Sequence, residues 1–496
     1  MKGGQNGLIS PFNRVEGDLD VSLEFEGNKI KDAKFHSALF RGFEIILKDK
    51  DPLDSLVLTP RICGICGASH LYASVLALEN VFEAQPTFNA IKLRNVLSMS
   101  EICQNDIRHT YLMFLIDLTH KKYKDYDLYP EIIRRWSPLL GSSYKEAINW
   151  SKKYTEIYAI FGGQWPHGSA MVPGGVTTDP SFSDINKALG LLKNITENYL
   201  ERIILGGNLQ QFLEIKSVKE FEQWVSDYPN SEISFLYRVG TDLGLDKIGY
   251  GSGVLMSYGH LPIDESGNRY FKPGLYFVNE KTFSKFDQNN IIEFVTHSHY
   301  VYTKGDDVGL HPFEGETIPK IDEDNERKYT FTKCVRYNHH GKFIAPEVGA
   351  LAMLAVNKNP LILDFLEKKG PSVLLRVLSR FIRLAIFHDL IKEELKQIDV
   401  NKPTYRKCDI RDGKGYGLVE APRGSLGHWI IVKDGKIYNY QIVTPTQINM
   451  SPEDPQGNKS HLAKALIGLE VSDPKDPIEA YHVIRAQDSC MVCNVH

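Results

Sequence analysis

Arg61-Ile62-Cys63-Gly64-Ile65-Cys66-Gly67-Ala68-Ser69-His70 has a counterpart at the far end of the chain, Asp488-Ser489-Cys490-Met491-Val492-Cys493-Asn494-Val495-His496. Each stretch carries two thiols in a Cys-x-x-Cys spacing with a histidine after them. In a one-turn loop or at a helix start, that spacing turns both sulfurs the same way. Four convergent thiolates bind a soft or borderline metal. A chain of 496 residues buries a core large enough for a site assembled from its two ends. On spacing alone three readings stand: half of a structural zinc site, a dithiol redox pair, or part of an iron-containing centre. A zinc knuckle usually has its second pair some tens of residues away, and a thioredoxin-like pair wants a βαβ setting that neither stretch has.

Outward from these motifs the composition is that of an ordinary globular protein, 42% hydrophobic and 24% charged. The net charge of -4 and the absence of basic blocks give no electrostatic reason to expect nucleic acid. The most apolar helix candidate, around 373–391, is broken by Arg376, Arg380, Arg383 and Asp389, so no segment reads as a bilayer span. The first six residues hold no apolar signal-peptide core. The expected setting is a soluble, reducing compartment, with export on a partner's signal as the other route. Seven cysteines in a chain of this length do not suggest a disulfide framework. Cys103, Cys334 and Cys408 stand alone and read as small buried or half-buried hydrophobes.

Leu19, Val21, Leu23 and Phe25 alternate with polar residues as one face of a strand, and Gly27-Asn28 reads as a hairpin turn. A second hairpin runs through 429–443 with its turn at Asp434-Gly435. Pairing of these two hairpins in one sheet would bring the termini together. Helical periodicity follows the first cysteine pair and recurs over about 89–120, 143–160, 181–205 and 361–398, the last interrupted at Gly370-Pro371. The expected fold class is α+β: one large domain over 1–496, with a central long-helix bundle and peripheral β-hairpins. An irregular α/β excursion at about 227–342, including the run Tyr270 to Val278, packs on the bundle and is not independent.

The residues around the thiols narrow the three readings. Arg61-x-Cys63-Gly64-x-Cys66-Gly67-x-x-His70 with Asp488-x-Cys490-x-x-Cys493-x-x-His496 resembles the paired signatures of the nickel-iron hydrogenase large subunit. Further blocks resemble that family in order: Arg14-Val15-Glu16-Gly17, Arg41-Gly42-Phe43-Glu44, Pro173-Gly174-Gly175-Val176, Glu347-Val348-Gly349, Glu420-Ala421-Pro422-Arg423-Gly424 and Thr444-Pro445-Thr446. They span nearly the whole chain. The resemblance implies an oxidoreductase that cleaves dihydrogen heterolytically, with the large-subunit fold.

By that resemblance Cys63 and Cys490 are terminal nickel ligands, and Cys66 and Cys493 bridge nickel to an iron carrying CO and cyanide. Soft thiolates suit both metals. Cys490 is then the base that takes the proton, and Glu16 the next carrier, its pKa raised by partial burial toward the working range. Without the other motifs, Glu16 would read as a strand-entry carboxylate bonded to Arg14 or to backbone N–H groups. Arg423 matches the arginine beside the diatomic ligands, with Pro422 next to it, and Asp117 resembles the carboxylate that pairs with that arginine. Thr446 falls where a hydroxyl donates to the other cyanide, and His70 is expected to donate toward a bridging sulfur. Glu44, the carbonyl of Ile442 and His496 match a magnesium site, or one for another divalent ion such as iron. The stop at His496 matches the mature form left when a maturation protease removes a C-terminal extension after nickel chaperones load the metal, or else a gene without an extension.

Once the four thiols are used, the remaining cysteines have no ferredoxin-like spacing, and no Gly-x-Gly-x-x-Gly loop opens a helix after a strand. Electrons are therefore expected to leave through an iron-sulfur small subunit, near Gly162-Gly163-Gln164-Trp165-Pro166-His167. The implied assembly is a dimer of heterodimers, cytoplasmic or held peripherally on the cytoplasmic face of the membrane through partners. Asp18 stands where many members have histidine and Ser489 where many have proline, as in the uptake and sensory branch. Three alternatives remain at this level: a hydrogen-sensing regulatory hydrogenase, a zinc-stapled structural protein, and the quinone-site subunit of complex I, which lacks the thiols.

Overall fold

A computed structural model describes the chain from Gln5 to His496 apart from Asn13, Val15, Glu16, Asp18 and Glu323, with the backbone alone at Gln5 and Asn6. Strand Leu19–Glu26 buries every second residue, Leu19, Val21, Leu23 and Phe25, as its alternation predicts. It pairs antiparallel with Gln5–Ile9 on one side and Lys29–Ser37 on the other, across a turn at Gly27-Asn28. The late hairpin, Gly424–Lys433 with Lys436–Val443, forms a separate sheet with Gly413–Ala421.

The expected pairing of the two hairpins in one sheet is therefore wrong. The outer edge of the first sheet is taken by the segment at 468–471, where Ile30 N donates to Leu469 O at 2.9 Å and Val471 N to Asn28 O at 2.8 Å. The termini meet around Arg41 and Asn494 instead, where the Arg41 backbone N–H donates to the Val495 carbonyl at 3.2 Å. Arg41 donates to the carbonyls of Arg61 (3.2 Å) and Ile62 in the first cysteine arm and of Val492 (3.2 Å) in the second. Asn494 Nδ2 donates to Ser37 Oγ at 2.7 Å.

The centre is helical. Helix Phe88–Arg108, capped by Thr87, packs between Ser142–Gly162 and Val373–Lys396. Its expected run to residue 120 stays helical, but past Arg108 the spiral widens over His109–Phe114 and tightens over Leu115–Thr119. The break at Gly370-Pro371 separates Pro360–Lys369 from Val373–Lys396, whose first turn is capped by Ser372. Because these helices are buried on most sides, their charged residues pair internally: Arg94 with Glu79 at 2.7 Å and Lys92 with Glu394 at 3.0 Å. In the excursion, the run from Tyr270 to Val278 is two short strands, Arg269–Phe271 and Gly274–Phe277, parted where Pro273 has no N–H for a ladder. Among the described residues no helix is long and apolar enough to cross a membrane.

The strand Gly413–Ala421 opens on three glycines in five residues, Gly413-Lys414-Gly415-Tyr416-Gly417, and helix Gly67–Phe82 lies directly on it. A Cβ on Gly417 would collide with the Ala73 carbonyl, and one on Gly415 with that of Ala77. Glycines two apart on the strand thus face small residues four apart on the helix, the two periods that let their backbones touch. The strand runs antiparallel to the helix, from Val81 at Gly413 to Ala73 at Gly417, so the contact brings two pieces of chemistry to one end, where the helix begins right after Cys66 and the strand runs into Pro422 and Arg423. Gly417→Ala is expected to destabilise the protein by about 1–3 kcal/mol, seen as a lower thermal midpoint. An unchanged midpoint would mean the helix does not rest on this strand.

Candidate metal centre

Both cysteine arms use one local device. Cys63 and Cys490 are extended (φ -144° and -134°), and the next turn of chain carries Cys66 and Cys493 at or inside a helix start. Cys66 is the N-cap of Gly67–Phe82, and Cys490 that of Met491–Asn494. The four sulfurs converge, with Cys63–Cys490 at 3.8 Å, Cys66–Cys493 at 3.3 Å and Cys490–Cys493 at 3.2 Å, and all four residues are buried. These separations exceed the roughly 2.05 Å of a disulfide, and every cysteine is free.

Four thiols this close cannot all ionise unaided. Hydrogen bonds from Cys490, Cys493 and Cys66 pull the Cys63 thiol well down. The contact with Cys493 draws Cys490 down, but the neighbouring Cys63 sulfur and burial push it up to about 12. Cys493, beside Cys490 and Cys63, is pushed well above the usual thiol range. A bound cation removes this obstacle, because coordinated thiols lose their protons outright. The donor set fits soft metals. Two triads, Cys63/Cys490/Cys493 and Cys66/His70/Cys493, each hold their ligand atoms within 4.8 Å of one another.

Arg423, 2% exposed, supplies the fixed positive charge. Its Nε donates to the Asp488 carbonyl at 2.9 Å and pairs with Asp488 Oδ1 at 3.1 Å. Both terminal guanidinium nitrogens are buried with no acceptor among the described residues. Two orphaned NH2 groups beside a thiol cluster are what acceptor ligands on a bound metal would satisfy. The expected pairing of Asp117 with Arg423 does not occur. Asp117 bonds Arg14 and, at 2.7 Å, Arg485, because the tightened turn Leu115–Thr119 carries it outward. Asp488 takes the place next to Arg423. Burial raises its carboxyl, but Arg423, His109 and Arg380 together hold it well below the ordinary range. Arg380 joins Asp488 (3.3 Å) to Asp106 (3.1 Å), and Arg383 joins Asp106 (2.6 Å) to the Pro422 carbonyl (2.8 Å).

Around the sulfurs, Thr446 Oγ1 accepts from Cys490 N at 3.2 Å. His70 Nδ1 lies 3.0 Å from His428 Nε2, and His428 Nδ1 lies 2.8 Å from the Tyr440 hydroxyl. Burial lowers the His70 pKa to about 3, so the ring is neutral. Glu101 accepts from Ala68 N, Ser69 N and Ser69 Oγ at 2.6–2.9 Å and ties down the helix start behind Cys66. Asp106, Glu101, Arg380, Arg383 and His428 escaped the sequence reading, since each lies on an otherwise unremarkable helix or strand. Asp488 was within the quoted motif, and its position two residues before Cys490 was the available signal. Glu16 lies outside the described residues.

Glu44 and His496 come together, with Oε1 and Nε2 3.2 Å apart, and Glu44 Oε1 also accepts from Ile442 N at 2.8 Å. Lys333 Nζ sits 2.9 Å from Glu44 Oε2 and 2.7 Å from Gln441 Oε1, and Thr317 donates to the same carboxylate. Burial alone would raise the Glu44 carboxyl, but Lys333 and His496 hold it at about 2. A depressed carboxyl stabilises the fold above its unfolded pKa and loses that contribution as pH falls toward the folded value. The metal-free chain is expected to lose about 3 kcal/mol from this group between about pH 5 and pH 2. Glu44→Gln should flatten that part of an acid-unfolding curve; an unaltered curve would show that Glu44 is not ionised in the fold.

The family model for nickel-dependent hydrogenase matches residues 41–121 and 122–496. The chain is 31% identical to the periplasmic NiFeSe hydrogenase large subunit of Desulfomicrobium baculatum, with 98% of this chain and 94% of the relative covered. It is 27% identical to an uptake hydrogenase large subunit of Bradyrhizobium diazoefficiens, with 99% and 95% covered. The fold matches the Ni-Fe-Se hydrogenase from D. vulgaris Hildenborough with a TM-score of 0.83 at 28% identity, over 100% of both chains. With four convergent buried thiols, an arginine above them and a match along nearly its whole length, the chain belongs to the nickel-dependent hydrogenase family.

Proposed function

We propose that residues 1–496 act as one catalytic large-subunit domain that oxidises dihydrogen, with protons leaving through its own side chains and electrons through an iron-sulfur small subunit. The observation that carries this reading is the buried set of four sulfurs with the unpaired guanidinium nitrogens of Arg423 beside it. Cys63 and Cys490 would hold nickel terminally, and Cys66 and Cys493 would bridge to an iron bearing CO and cyanide. When bound, that pair supplies the Lewis acid that polarises dihydrogen and accepts its electron pair.

The chain supplies the rest. Cys490 sulfur takes the proton, and Glu16 carries it onward. Arg423, anchored at Nε by Asp488, would donate from its free nitrogens to one cyanide, and the Thr446 hydroxyl to the other. Pro422 is held by Arg383 and keeps Arg423 in register. His70 would donate toward a bridging sulfur. Glu44, the Ile442 carbonyl and His496 would hold magnesium or another divalent ion close to Lys333.

The small subunit would dock on the face around the first cysteine arm. Leu39, Ile45, Ile46, Leu53 and Val57 are exposed there, and His167 bonds the Pro60 carbonyl at 2.9 Å, just before Cys63. Asp18 and Ser489 favour the uptake and sensory branch, acting in the cytoplasm or peripherally on that side of the membrane, as a dimer of heterodimers. Nickel chaperones and a maturation protease would assemble it.

The test is metal analysis with infrared spectroscopy on the anaerobically purified complex. Nickel with iron and bands from CO and cyanide support the reading, whereas zinc alone without such bands refutes it. Arg423→Lys should keep the bands but lower the hydrogen oxidation rate about a hundredfold, because an ammonium cannot both grip Asp488 and present two N–H groups. Turnover equal to wild type would reduce Arg423 to a structural role. Glu16→Gln should keep the metals and stop proton exchange with solvent; full hydrogen/deuterium exchange would remove Glu16 from the relay.

A further inference from the structure

On the side of the centre toward Phe12 and Arg14, two buried side chains each carry one polar atom without a hydrogen-bond partner among the described residues. His109 is wholly buried, and its Nε2 lies 2.7 Å from the Arg485 carbonyl oxygen. A carbonyl only accepts, so Nε2 carries the proton. Burial brings the ring's pKa down to about 3 and keeps it neutral. Nδ1 is then a bare acceptor, and no described residue satisfies it. Ser489 is 8% exposed, and its hydroxyl is equally unpartnered.

Both line one cavity of about 20 Å³, together with Asp488, Arg14 and Arg485. That is room for one water, and a buried water needs two to four polar contacts. An acceptor nitrogen, a hydroxyl and the Asp488 carboxylate provide them. Arg14 and Arg485 also wall a groove of about 380 Å³ on the outer side, with Asp117 and His120. Both arginines bond Asp117, so one ion triplet stands between cavity and groove.

We propose that the cavity between His109 and Ser489 binds one ordered water, and that this water passes protons between the outer groove and the loop that carries Cys490. The Ser489 hydroxyl gains the released proton as it gives its own to the water, and the water gives one of its protons to the Asp117 carboxylate, since both guanidiniums stay protonated; each O–H bond formed replaces one broken. The hydroxyl of Ser489 is the added element. The water-binding half depends only on the cavity, while the proton-passing half rests on the hydrogenase reading above.

The experiment is a high-resolution crystal structure of the anaerobically purified complex as wild type, Ser489→Ala and Ser489→Thr. The HD to H₂ product ratio under D₂ and the infrared bands are measured on the same samples. Wild type should show a solvent peak within hydrogen-bond distance of His109 Nδ1 and Ser489 Oγ. The alanine variant should lose it and exchange protons slower by about tenfold or more with unmoved bands, and the threonine variant should keep both. A dry wild-type cavity, or unchanged exchange in an alanine variant that has lost the peak, overturns the proposal. Missing CO and cyanide bands would instead strike the hydrogenase reading, and the solvent peak by itself would then decide the water site.

Discussion

Four sulfurs packed 3.2–3.8 Å apart in a buried pocket are the constraint to which the rest of this structure answers. Bringing thiols from residues 63–66 and 490–493 together closes nearly the entire chain into a loop, whose closure entropy grows only slowly with length. The harder cost is electrostatic, because each thiolate formed in the pocket opposes the next. Arg423 offsets part of it, Asp488 fixes Arg423, and Arg380 and Arg383 tie both to Asp106 on helix Phe88–Arg108. The alternation of charge spreads the burden inward from the sulfurs to the helical core. Such ladders contribute little net stability, since desolvation consumes most of the Coulomb gain, but a missing member leaves a buried charge unpaired. Their contribution is geometric: they hold a guanidinium at a set place with two of its nitrogens unused.

The second layer of control is steric. Helix Gly67–Phe82 approaches strand Gly413–Ala421 so closely that only hydrogen atoms fit at Gly415 and Gly417. Close-packed backbones have no compliant side chain between them, so Cys66 before the helix and Arg423 after the strand, at the same end of the contact, keep a fixed relation. Arg41 does the same for the two cysteine arms. Its single guanidinium collects carbonyls from both Arg61 and Val492, and the backbone of the same stretch leads into Glu44, whose carboxylate meets His496. The residues that the family resemblance marks as functional are thus also the ones that hold the arms in place.

The helices were legible because burial on one face leaves a 3.6-residue rhythm, and the two outer hairpins because half-burial leaves a rhythm of two. The strand at 413–421 left neither, since its pattern is set by the backbone of a helix more than three hundred residues away. The mistaken pairing of the two hairpins has a similar origin: alternation shows that a strand has a buried face but not which edge it offers to whom. Asp117 and Asp106 lie on one helical run, and nothing local says that the tightened turn after residue 114 sends the first outward to Arg14 and Arg485 while the second stays under Arg383.

The sequence by itself determined the ligand chemistry and the family, because thiol type, spacing and the residues flanking each motif are local properties of the chain. The meeting of the arms, the choice of Asp488 as the partner of Arg423, the two unused guanidinium nitrogens and the small cavity beside Ser489 were decided only by the tertiary structure. Each of them depends on the distance and direction between groups far apart in sequence, and these take definite values only when the core is packed.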